Sequence, residues 1–112
     1  VAGGVTTYQT RTKSEVLGVS RSRLQETGAV DPVVAEGMAL GAAKLFSADV
    51  ALATTGVAGP GSQDGHSAGT VFIAVATPAG GATTELSLSG DRNQIRVQTV
   101  AAVLQLAIEA LS

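Results

Sequence analysis

Cysteine is absent from these 112 residues, and so is tryptophan. The first absence excludes disulfides, thiolate nucleophiles and cysteine-ligated zinc. With one histidine and no clustered carboxylates, neither a protein-built metal site nor a histidine-based triad has the residues it needs, and no metal or cofactor is expected. Aromatic residues make up 3% of the chain and charged residues 14%. The seven basic residues form no run and the formal net charge is -2, so nucleic acid and acidic membranes have no basis as partners. No apolar run reaches transmembrane length and no signal peptide is recognisable, which points to a cytoplasmic protein.

What is present is small and apolar: alanine, valine, leucine and 14 glycines. That composition suits an α/β core in which helices lie close on a sheet, and the length suits one domain. Gly3 to Tyr8 reads as a strand, and Arg11 to Leu17 as a short helix stopped by Gly18. Ser20 caps a further turn of helix through Glu26, ended by Gly28. Asp31-Pro32 starts a helix running to about Phe46, with Val34, Gly37, Met38, Gly41 and Leu45 on one face. Glycine at two positions of that face predicts a close approach to the sheet or to another helix, because glycine inside a helix otherwise costs about 1 kcal/mol against alanine.

Asp49 to Thr54 and Thr70 to Thr77 are nearly continuous apolar runs, as central strands covered on both faces would be. After the Pro78–Gly81 turn, Thr83 to Ser89 alternates as a half-exposed edge strand, with Leu86 and Leu88 inward. A last helix, capped by Asp91, runs from about Arg92 to Leu111, and Val97, Val100, Leu104, Ile108 and Leu111 form its expected buried stripe. The order predicts a three-layer α/β/α sandwich with a mixed central sheet.

Between the two apolar strands lies a loop carrying Gly56, Gly59, Gly61, Gly65 and Gly69. Bare backbone N–H groups at the end of a buried strand can approach a ligand closely, although glycines also simply permit a hairpin loop. Two nucleotide motifs fail here. Gly56 and Gly61 have P-loop spacing, but Ser62 and Gln63 occupy the places of the lysine and the hydroxyl residue, and a strand follows where a helix should. Gly59-Pro60-Gly61 opens a dinucleotide fingerprint that Asp64 interrupts. His66 stands alone in a polar loop and reads as solvated.

The strings GGVTTYQTRTKSEVLGV, ETGAVDPVVAEGMALGA, ADVALATTGVAGPG, AGTVFIAVATP and GDRNQIR occur in that order. Together they resemble the C-terminal domain of the competence/damage-inducible CinA family, whose members act as nicotinamide-nucleotide amidases. The resemblance runs from Gly3 into the last helix. It implies deamidation of nicotinamide mononucleotide by a serine nucleophile assisted by a lysine and a tyrosine, which correspond to Lys13 and Tyr8. That serine would lie upstream of Val1, so the chain is expected to lack the N-terminal helix and nucleophile segment and to be inactive alone. Ser14 or Ser62 as substitutes have no supporting motif.

On the same resemblance Thr55, Gly56, Gly59 and Gly61 line the ligand site, their N–H groups meeting phosphate or ribose oxygens. Arg92 and Arg96, at the start of the last helix, either face a bound phosphate or are ordinary surface arginines. The expected partner is a small pyridine nucleotide, and the exposed edge strand and low aromatic content point to a homo-oligomer. A catalytically silent nucleotide-binding or regulatory module is the alternative.

Overall fold

The computed structural model describes Val1–Ser112. Its elements are α1 (Thr10–Glu15), α2 (Arg21–Thr27), α3 (Pro32–Leu45), β1 (Ala51–Gly56), β2 (Thr70–Thr77), β3 (Gly80–Ser87) and α4 (Arg92–Ala110). The strands form one sheet in the order β1-β2-β3 with helices on both faces, the expected α/β/α layering. Strand parity differs from the expectation of a mixed sheet: both pairings are antiparallel. The reason is Gly3 to Tyr8. This segment, read as a strand, joins no ladder, and a hairpin chain of consecutive strands pairs antiparallel.

β2 carries the sheet. It is buried from Thr70 to Ala76, with Phe72, Ala74 and Ala76 facing the larger core under α3 while Val71 and Ile73 face the smaller one under α4. β1 is less covered than its apolar run suggests. Ala51, Ala53 and Thr55 are buried, whereas Leu52, Thr54 and Gly56 alternate outward, because β1 is an edge strand. β3 begins directly after Pro78-Ala79, where Thr77 pairs with Gly80, and Leu86 and Leu88 turn toward α4 as expected.

The helix starts follow the capping chemistry in the sequence. The Ser20 hydroxyl accepts from the Arg23 N–H, and Asp91 and Gln94 form a reciprocal capping box at α4. Asp31 does more. Its carboxylate accepts from Val33 N and Val34 N at 3.0 and 3.1 Å and takes a two-pronged contact from the Arg23 guanidinium at 2.8 and 2.9 Å. Burial pushes the Asp31 carboxyl up, but Arg23 and the two N–H donors outweigh it and hold the group below its ordinary value. A group with a depressed folded pKa stabilises the fold above its unfolded pKa, and that stability is lost as pH falls through the folded value. Asp31→Ala is therefore expected to cost about 2 kcal/mol near neutrality. Urea unfolding from neutral to acid pH should show a shallower acid limb for Asp31→Asn than for wild type.

α4 departs most from its reading. The side chains it buries are Ile95, Val103 and Ala107, with Thr99, Ala102 and Leu106 half-buried. The stripe of Val97, Val100, Leu104, Ile108 and Leu111, expected in the core, faces outward instead. No charged residue occurs between Val97 and Ile108, so the helix is apolar on two sides and periodicity alone could not choose between them.

Candidate functional site

Lys13 is the unusual residue of the site. It lies on a six-residue helix, yet only 7% of its surface is exposed. The ammonium donates to the Thr7 carbonyl at 2.8 Å and to the Thr7 hydroxyl at 3.2 Å. Neither partner is charged, and no carboxylate forms an ion pair with Lys13. Desolvation by burial accordingly pulls its pKa below the ordinary 10.5. Leu17 and Val19, in the segment that follows α1, pack into the core under α3.

Lys13 lines a groove of about 720 Å³. It is lined by the Val1–Thr7 segment, by β1 from Ala51 to Gly56, and by Met38 and Phe46. Alternate residues of β1 turn their N–H and C=O groups away from β2, toward this groove. The backbone from Val1 to Tyr8 joins no strand ladder.

A second cleft of about 470 Å³ lies over the opposite sheet face, between β1 and the start of α4. Asn93, Arg96 and Ala58 are among its walls. The two cavities share Thr54, Thr55 and Gly56, so the end of β1 is where Lys13's side of the sheet meets Arg96's side. Gly56 is required by packing: a Cβ there would stand 2.7 Å from Val71 Cγ2 and 2.8 Å from the Thr70 carbonyl. The Thr55 hydroxyl is buried and donates to the Ala29 carbonyl at 2.7 Å, which ties β1 to the entry of α3.

The remaining predicted residues divide. Gly59, at φ +88°, accepts at its carbonyl from the Arg92 guanidinium at 3.2 Å, so Arg92 fixes the loop to α4. Gly61 is exposed with open space around it, and neither Gly59 nor Gly61 lines the two cavities. Arg96 makes no hydrogen bond or ion pair within the chain. Tyr8 is 92% exposed, lies outside the groove and does not touch Lys13 with a hydrogen bond. The Ser14 hydroxyl accepts from Arg21 at 3.2 Å and makes no hydrogen bond with Lys13. His66 is half-buried rather than solvated, its ring edge-on to Phe72 at 5.8 Å.

Two participants had no sequence signal of their own. Thr7, buried beside Tyr8, is the partner that orients the ammonium. Asp64 folds the glycine loop back: its carboxylate accepts from Ala29 N at 3.1 Å and sits where a side chain at Gly28 would be. Its positive φ of 51° marks a turn position, but its target lies 35 residues away. No three His, Cys, Asp or Glu side chains come together anywhere in the chain. No helix is long and apolar enough to cross a membrane.

Against known proteins, the model of the CinA C-terminal domain matches residues 1–111. The chain belongs to the CinA C-terminal-domain family. A CinA-like protein of Mycolicibacterium vanbaalenii is 41% identical over 114 residues, covering all of this chain and 27% of that protein. One from Geobacter metallireducens is 47% identical over 94 residues, covering 83% of the chain and 23% of the relative. The CinA domain here thus spans about a quarter of the length of the curated relatives it matches. The crystal structure of a competence/damage inducible protein from Agrobacterium tumefaciens superposes with a TM-score of 0.89 at 33% identity, over 95% of this chain and 66% of that one. A CinA superfamily protein from Escherichia coli gives 0.88 at 33% identity, over 93% and 61%.

Proposed function

We propose that this CinA-family domain contributes the proton-transfer and nucleotide-binding half of an amidohydrolase site for nicotinamide mononucleotide. The observation that carries the reading is Lys13: a buried lysine with only neutral partners, opening on a groove, its pKa depressed. A lysine held below its ordinary value by desolvation gives up its proton more readily than a solvated one, as a general base must. The domain itself places no serine against Lys13, so the nucleophile comes from polypeptide outside these residues, entering by the groove between Val1–Thr7 and β1.

In the proposed reaction the serine hydroxyl attacks the carboxamide carbon as Lys13 accepts its proton. The tetrahedral intermediate collapses, Lys13 returns the proton to the nitrogen, and ammonia leaves. Water then cleaves the ester to give the carboxylate and regenerate serine, with Lys13 again moving the proton. Arg96, unpaired in the second cleft, is assigned to the ligand phosphate, and Thr7 positions the amine. Tyr8 acts only if bound ligand or the incoming segment draws it toward the groove.

The test is an assay of the full-length protein with nicotinamide mononucleotide, following ammonia and nicotinate mononucleotide together. Equimolar appearance of both supports the amidase. Saturable binding without either product, in a folded protein, replaces it with a silent nucleotide-binding module. Arg96→Ala is expected to raise KM about tenfold with kcat little changed, the effect of losing one charge-assisted contact made equally in ground and transition states.

A further inference from the structure

The hydrogen bonds of Lys13 leave one donor in the groove unused. Thr7 is buried and lines the groove, and its hydroxyl oxygen accepts from the Lys13 ammonium at 3.2 Å. The proton of that hydroxyl is donated to no group of the chain. A hydroxyl has one O–H to give besides its lone pairs, and a buried donor left unmade costs free energy. Its acceptor is therefore expected to arrive with whatever enters the groove.

The other hydroxyls there are placed differently. Thr55 already donates to the Ala29 carbonyl at 2.7 Å, while Thr6 and Thr54 are exposed. Among the lining residues only Lys13 has an ionisable side chain, so a negative charge forming in the groove meets no other cationic side chain. Thr7 is the one hydroxyl held in place by that cation.

We infer that the Thr7 hydroxyl is a catalytic donor to the carboxamide oxygen, stabilising the oxyanion of the tetrahedral intermediate. This rests on the amidase reading above and gives Thr7 a second task besides holding the amine. As the serine oxygen bonds to the carboxamide carbon, the C=O π pair moves onto oxygen and the Thr7 O–H donates to it. The Thr7 proton stays on Thr7 throughout, while the serine proton passes to Lys13 and then to the leaving nitrogen. When ammonia departs, the electron pair returns and re-forms the C=O bond. The two tasks are coupled in time. Lys13 becomes an ammonium as the oxyanion forms, so its N–H polarises the Thr7 hydroxyl when donation matters most.

Thr7→Val keeps the side-chain shape and the backbone carbonyl that holds Lys13, and removes the hydroxyl. In the full-length protein it should lower kcat for nicotinamide mononucleotide about 10²-fold with KM little changed, the pattern of a contact made only in the transition state. Thr7→Ser retains the donor and should stay within about threefold of wild type. Thr7→Cys, with a weak S–H donor, should follow valine and replaces it in the test if valine disturbs the fold.

Losing the hydroxyl also removes one partner of Lys13, and exchanging oxygen for sulfur in the substrate separates the two effects. The thioamide analogue of nicotinamide mononucleotide presents a poor acceptor where the carboxamide oxygen stood. The amide-to-thioamide ratio of ammonia-release rates should fall about tenfold from wild type to Thr7→Val. An unchanged ratio means that the hydroxyl serves Lys13 alone, and overturns the inference. So does Thr7→Val with wild-type kcat, or a serine variant as slow as valine. Each of these leaves the amidase reading standing, whereas a wild-type protein that releases ammonia from neither substrate removes both.

Discussion

Lys13→Met in the full-length protein is expected to lower turnover of nicotinamide mononucleotide about 10²- to 10⁴-fold, the range for losing a positioned acid–base group. Methionine keeps an unbranched stem of similar length, so the packing against Leu17 and the groove floor survives and the loss reports chemistry. The readout is the single-turnover rate of ammonia release, with circular dichroism to show that the fold is intact. Lys13→Arg should be as inactive as methionine, because a guanidinium stays protonated. Activity retained by either variant would remove the lysine from the mechanism.

The same residue sets an alkaline signature. The folded state holds Lys13 below its ordinary 10.5, so between the folded value and 10.5 the unfolded chain binds more protons. Wild-type stability should therefore rise with pH through that window and fall as pH drops through the folded pKa. Lys13→Met has no proton to bind and should lack that slope. Parallel urea titrations of the two proteins on the alkaline side of neutrality would show it, and identical slopes would mean that the amine is solvated.

Gly41→Ala is the largest expected stability effect, a loss of about 3 kcal/mol. A Cβ at Gly41 would collide with the carbonyl oxygen of Leu17, which is backbone and cannot rotate away. To admit the methyl group, α3 must move off the segment that leads out of α1. That segment also holds Leu17 and Val19 in the main core, and the Lys13 carbonyl accepts from Val19 N at 3.0 Å. Gly37→Ala is the control. Its Cβ would meet only the Val19 side chain, Cγ2 nearest at an ordinary 3.4 Å, and alanine favours a helix over glycine. Chemical denaturation should place the two variants on opposite sides of wild type or nearly so, and equal effects would refute the close-approach account.

That pair of glycines shows how far the sequence reaches. Their spacing announced a close approach on one face of α3, yet not its object. The approach is to the backbone after α1, through Gly41 alone, and not to the sheet or a neighbouring helix. Element positions were legible because their causes are local. Asp31-Pro32, Ser20 and Asp91 mark helix starts within a residue, and the apolar runs mark β1 and β2. Capping hydrogen bonds and backbone propensities are decided within a few residues, so a linear reading contains them.

The family was equally legible, because it is carried by the order of short motifs along the chain, and a match over residues 1–111 bears it out. What the sequence by itself determined, then, is the family, the α/β layering and the identity of most elements. The tertiary structure alone decided which face of α4 is buried, that β1 ends the sheet, and that Lys13 is desolvated beside Thr7 while Tyr8 is not. It also decided that Asp64 reaches Ala29 across the fold. The physical reason is common to all four. Burial and hydrogen-bond partnership depend on what lies across the core, and a helix apolar on two sides, or a lysine near a strand-like segment, has no local feature that says which neighbour it will meet.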